Sequence, residues 1–190
     1  MNKKYLHINA LWLYIIKFTG AFCVCYFGTL ALIGIAAPGG YYIPFVAHYL
    51  DYVNWLRTSL LLSAKYLLSL LGYDSIYFAK QYILEVKDGW GIRMVYSCIG
   101  YGIMSFWVAF VYANTIPFRK KTKWMIGGLL SIWAINVLRI TLLIIVANKH
   151  WLNMLPLEHH MLFNIAAYIL VGIMIYCFYR SDKRTQLHAD

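Results

Sequence analysis

Four residues, at three places along this chain, stand out because they carry reactive or charged groups where apolar residues dominate. Cys98 follows Ser97 and precedes Gly100 and Gly102. Arg139 interrupts the apolar run between Lys123 and Lys149, with Asn136 three residues before it, and His159 and His160 follow Glu158. A thiol at a helix start has its thiolate favoured by the unpaired N–H groups and the helix dipole, and a nearby cation adds to this. An arginine inside a spanning helix costs about 2.5–3.5 kcal/mol on insertion scales unless a polar cavity or partner receives it. A thiolate, a fixed cation and an imidazole at one place would equip a protein for nucleophilic chemistry at sulfur. Each residue also has an ordinary reading: Cys98 as a small packed side chain, Arg139 as a side chain snorkelling outward, the histidines as interfacial residues. Adjacent histidines diverge by about 100° on a helix, so only one of them reaches a given point.

The elements that must position these groups follow from composition. Of 190 residues, 62% are apolar and 13% charged, with a mean hydropathy of +0.62. So much apolar surface does not fit inside a water-soluble body of this size, which excludes a disordered tail, a coiled coil and a nucleic-acid-binding domain. The expected fold is an all-α integral membrane protein, a single membrane domain over 1–190. About four transmembrane helices are predicted, at about 11–36, 98–116, 124–147 and 160–179, since a span needs about 20 mainly apolar residues. Lys17 splits the first apolar run, which reads as a retained anchor rather than a signal peptide. The net charge of +10 comes from 17 basic and 7 acidic residues. Its short-loop share, Lys3 and Lys4, Arg119-Lys120-Lys121-Lys123, and Arg180, Lys183 and Arg184, falls on one side, which the positive-inside rule makes cytoplasmic. Four crossings return both ends there.

The outward material is then mainly 41–97. Val53, Leu56, Leu60, Leu67, Leu68 and Leu71 recur at helical spacing, with Asn54, Arg57 and Lys65 as polar positions, and predict an amphipathic helix on or in the outer leaflet. Tyr82–Lys87 and Trp90–Tyr96 read as strands joined at Asp88-Gly89, a dipeptide that favours a tight hairpin turn. The second strand would deliver Cys98 to the outer mouth of the second span. Arg139, in the outer half of the third, and the histidines opening the fourth fall at the same face. Cys23, Cys25 and Cys177 lie within spans, the first two as packing and the last near the inner end. Trp12, Trp124 and Trp151 read as interfacial belt residues, and Gly127, Gly128 and Ser131 as sites of close helix contact. Near the histidines only Glu158 adds to a ligand set, so no metal is expected, and no cofactor.

Ser97-Cys98-Ile99-Gly100, Asn136-Val137-Leu138-Arg139-Ile140 and His159-His160-Met161-Leu162-Phe163-Asn164 together resemble the exosortase/archaeosortase family of integral-membrane transpeptidases, above all its compact, Bacteroidetes-like bacterial members. The likeness covers about 80–180. It departs from the common Cys-Ser-Gly pattern at Ile99, and the chain has fewer spans than the larger exosortases. Alignment on the following polar residue favours His159 over His160 as the family's histidine. The resemblance implies a cysteine protease/transpeptidase in the bacterial cytoplasmic membrane, its site on the extracytoplasmic side. Its partners would be secreted proteins carrying a C-terminal sorting tag with a transmembrane helix, a glycolipid or amine acceptor, and membrane lipids, with no nucleic acid. It further implies Cys98 as nucleophile, Arg139 as oxyanion stabiliser and His159 or His160 as general base and acid, supported by Asn136 and Gly100. Two other readings stand beside it: a membrane assembly or transport subunit in which Arg139 binds a phosphate or carboxylate, and a thiol/quinone redox protein, which would require a second outer cysteine beside Cys98.

Overall fold

The structure is a computed structural model that describes the backbone of residues 3–36, 42–149 and 159–187, and the side chains of 11–36, 42–149 and 165–181. It is mostly helical, with one small sheet. The order is α1 (Lys3–Ala36), α2 (Pro44–Tyr49), α3 (Tyr52–Leu70), β1 (Ser75–Phe78), β2 (Ile83–Val86), β3 (Gly91–Arg93), a 3₁₀ turn (Tyr96–Ile99), α4 (Tyr101–Ala113), α5 (Phe118–Asn148) and α6 (His159–Leu187). Among the described residues, two helices are long and apolar enough to cross a membrane, Leu11–Ala36 and Phe118–Asn148, while Tyr101–Ala113 and Ile165–Ser181 are shorter apolar helices. The element expected at 98–116 is thus a turn followed by a 13-residue helix. The one expected at 124–147 starts earlier, because its basic cluster Arg119–Lys123 is helical too. Pro38-Gly39-Gly40 and Trp151 lie outside the described residues.

The chain divides into two compact units, Met1–Leu60 with Met94–Leu129 and Leu61–Arg93 with Leu130–Asp190; α3 and α5 each pass from one to the other. In the first unit, α1 packs on α4 through an aromatic ladder. Tyr14, Phe18, Phe22 and Tyr26 fall four apart, hence on one helix face, and stack in succession. Phe18 meets Phe106 edge-on at 5.5 Å, and Tyr26 lies 5.4 Å from Tyr101. Such ring pairs contribute about 0.5–1.5 kcal/mol each beyond their buried area. Trp107 is fully buried and donates its indole N–H to the Trp124 carbonyl, 3.0 Å away. This requires Gly128, where a Cβ would collide with the Trp107 ring, whereas Gly127 faces open space. Of the small residues expected at close contacts, Gly128 is therefore one and Gly127 is not. Lys121 reaches back from α5 to the Tyr112 carbonyl at 2.8 Å, covering the C-terminal end of α4.

Helix α3 is preceded by Asp51, whose Oδ1 accepts the N–H of Asn54 at 3.0 Å. This is an N-cap bond, worth about 1 kcal/mol. The residues of α3 that are buried are Val53, Arg57, Leu60, Leu61, Ala64 and Leu68. Val53, Leu60 and Leu68 agree with the predicted apolar face, but Arg57, expected among the polar positions, lies in the middle of the buried stripe.

In the second unit, the expected hairpin is the β2–β3 half of a three-stranded antiparallel sheet in the order β1-β2-β3. Ser75 pairs with Val86 through to Phe78 with Ile83, and Ile83 pairs with Arg93 through to Glu85 with Gly91. Strand β2 begins one residue later than predicted because Tyr82 takes a φ of 52°, turning the chain back from β1. The predicted second strand ends at Arg93, three residues short of Tyr96. The β2–β3 loop spans 87–90, four residues rather than the two of a primed turn, and its positive φ falls at Asp88 (58°) and not at Gly89. Gly89 is needed for space: a Cβ there would overlap the side chain of Asn148.

Candidate functional site

Cys98 sits on the 3₁₀ turn, half-buried, between exposed Ser97 and fully buried Ile99. Its N–H donates to the Val95 carbonyl at 3.0 Å. Gly100 then adopts a left-handed φ of 82°, and α4 begins at Tyr101. This corrects the placement of Cys98 at the start of a spanning helix. The thiol precedes α4 by a full turn of different geometry, and the first-turn N–H groups of α4 lie beyond it. A side chain at position 100 would strain that conformation, so Gly100 is a structural requirement of the junction between turn and helix.

The segment leading into this turn is held by residues that the sequence marks only as polar positions of α3. Arg57 donates through Nη2 to the Met94 carbonyl at 2.5 Å and through Nη1 to Asn54 Oδ1 at 3.1 Å. Its guanidinium carbon lies 4.4 Å from the ring centroid of Tyr96. Asn54 Nδ2 donates to Asp51 Oδ2 at 2.5 Å. Arg57 and Asp51 are each only 6% exposed. A charge so buried is tolerated when it is hydrogen-bonded and balanced, and Asp51 supplies the balancing charge through the amide of Asn54. The signal in the sequence was spacing: residues 53, 57, 60, 61, 64 and 68 form one helix face, and Arg57 lies on it.

In the second unit, Asn136 and Arg139 are one helical turn apart on α5. Asn136 is buried, Arg139 is half-buried, and neither is without an interaction partner. Arg139 lies nine residues before the end of α5 at Asn148, about 14 Å along the axis. Nearby Thr141 is buried and returns its hydroxyl to the Val137 carbonyl. His159 and His160 are the first two residues of α6, as expected of the fourth helix; their side chains, and Glu158, lie outside the described residues. Asn148, also unforeseen, accepts the Trp90 N–H at 2.7 Å and donates to the Trp90 carbonyl at 3.0 Å and the Ile144 carbonyl at 2.8 Å, pinning the β2–β3 loop to the end of α5. Cys23 and Cys25 are half-buried and Cys177 exposed, and all four thiols are free.

No protein-family model matches this chain, and neither does any curated protein or solved structure.

Proposed function

We propose that the protein is a membrane-embedded cysteine transpeptidase or peptidase of the exosortase type, crossing the bacterial cytoplasmic membrane four times with its site at the outer face. The observation that carries this reading is the setting of Cys98. It stands half-buried on a short turn that a buried arginine braces from one side and a left-handed glycine releases from α4 on the other. A cysteine that merely filled space would be served equally well within a helix. The order of the three short motifs along the chain supports the same reading.

In this mechanism a substrate helix in the same bilayer brings its cleavage motif to the outer surface. The Cys98 thiolate attacks the scissile carbonyl, forming the C–S bond of a tetrahedral intermediate. Arg139 stabilises the oxyanion, a role suited to a preorganised cation in a poorly solvated site. His159 or His160 takes the thiol proton and returns it to the departing amine as the C–N bond breaks, leaving a thioester. Water, an amine or an envelope glycolipid then attacks the thioester, and the thiol is regenerated.

Co-expression with secreted proteins from the same organism that end in a short motif, an apolar helix and a basic tail tests this. Cys98→Ala should insert and fold yet leave the tag uncleaved, and Cys98→Ser should accumulate uncleaved complexes. Normal tag cleavage by Cys98→Ala overturns the reading.

A further inference from the structure

A helix face that buries Val53, Leu60 and Leu61 would accept a leucine or methionine at position 57 with far less desolvation than an arginine. The arginine is nevertheless there, and three of its contacts show what it holds. One, to Asn54 Oδ1, stays within α3 and links the guanidinium to Asp51. Two more leave the helix for one short segment: the Met94 carbonyl and the face of the Tyr96 ring. Between those two residues lies Val95, whose carbonyl accepts the N–H of Cys98. Arg57 thus grips both sides of the peptide that closes the turn carrying the thiol, and fully buried Ile99 anchors the other end of that turn.

We infer that Arg57 is a positioning residue for Cys98, holding Met94–Tyr96 so that the turn presents the thiol in one orientation. Asp51 and Asn54 complete the device: the carboxylate balances the buried cation, and the amide between them fixes the plane of the guanidinium. Lysine could reproduce the charge but not the simultaneous hold on Met94, Asn54 and the aromatic face, because it lacks the planar fork. This inference rests on the transpeptidase reading for its effect on turnover, but not for its effect on the thiol itself.

The test uses the full chain with Cys23, Cys25 and Cys177 replaced by serine, so that Cys98 is the sole thiol. Arg57→Met, Arg57→Lys, Tyr96→Leu and the double variant Asp51→Asn/Arg57→Met are compared for thermal unfolding, for the rate of Cys98 alkylation by a membrane-impermeant maleimide, and for kcat and KM on a tagged substrate. In variants that remain folded, Arg57→Met should lower kcat by between about tenfold and 10²-fold, the range expected when a reacting group shifts by up to an ångström, while KM changes little. The same variant should change the alkylation rate at least about threefold, and Arg57→Lys should reverse part of both effects, since it keeps the charge and one donor. The double variant should unfold no earlier than Arg57→Met, because it removes the carboxylate left uncompensated. Wild-type kcat and alkylation in folded Arg57→Met overturn the inference. So does a loss of kcat that merely follows the folded fraction. If Arg57→Met does not fold, the comparison moves to Tyr96→Leu and Arg57→Lys, and unchanged alkylation in both overturns it equally. If no tagged substrate is cleaved by the wild type but alkylation responds as described, the enzymatic reading fails and the bracing of the thiol stands.

Discussion

The loop between β2 and β3 is clamped to the end of α5 by the side chain of Asn148, and removing it has a calculable effect. Asn148 makes two hydrogen bonds to the backbone of Trp90, at 2.7 and 3.0 Å, and a third to Ile144 within its own helix. A neutral hydrogen bond contributes about 0.5–1.5 kcal/mol net, so losing the two to Trp90 in Asn148→Ala should free the loop by about 1–3 kcal/mol. At 1.4 kcal/mol per factor of ten, amide exchange in β2, at Leu84 and Val86, should speed up by between about fivefold and 10²-fold. Trp90 is excluded from this readout because it loses its acceptor directly. The same geometry predicts a coupling. Gly89→Ala alone should be destabilising, because its Cβ would overlap Asn148, yet Gly89 does not occupy a positive φ and alanine is otherwise admissible there. In the Asn148→Ala background the obstruction is gone, so Gly89→Ala should then cost almost nothing. A double-mutant cycle, read by hydrogen–deuterium exchange and thermal unfolding in detergent, should give a coupling of about 0.5–3 kcal/mol. Additive effects of the two substitutions would refute the clamp.

Gly128→Val should destabilise by about 1–3 kcal/mol by forcing the buried Trp107 aside, whereas Gly127→Ala, which meets open space, should stay within about 0.5 kcal/mol; thermal unfolding with tryptophan fluorescence distinguishes them. In intact cells an impermeant maleimide should label Cys98 and spare Cys177 until the inner face is opened; the reverse order would invert the proposed topology. Arg139→Lys should reduce turnover of a tagged substrate by about tenfold or more, since lysine keeps the charge without the planar fork, and full activity would reduce Arg139 to a general electrostatic role.

Periodicity carried the helices, and it failed where residue type was trusted over spacing. Apolar runs of spanning length marked α1 and α5, and the Asp88-Gly89 dipeptide marked the turn between β2 and β3 although its geometry differs. Strand β1 escaped notice because its four residues stand alone between Tyr73-Asp74 and the Ala79–Gln81 turn, too short for alternation to register. Arg57 reads as a polar position by residue type, yet its spacing places it on the Val53–Leu60–Leu68 face. Asn148 could not be foreseen, since its partner is the backbone of a residue 58 positions away. The candidate site residues were legible as types and as an order along the chain. The turn beneath Cys98 was not, because it depends on Gly100 breaking the helix just where an apolar run appears continuous.

Helix α4 is 13 residues, about 20 Å long, against a hydrocarbon core of about 30 Å. In the four-crossing arrangement proposed above, a span this short makes the surrounding lipid thin toward it, because stretching the helix is not an option. The outer surface would then dip around the turn that carries Cys98, bringing the headgroup layer down to the thiol. A substrate helix of ordinary length entering that dimple would protrude farther from the lipid than it does elsewhere, exposing its cleavage motif only beside the enzyme. If the proposed activity and topology hold, bilayer thickness would control turnover, since lipids with longer acyl chains would deepen the mismatch at a fraction of a kcal/mol per ångström.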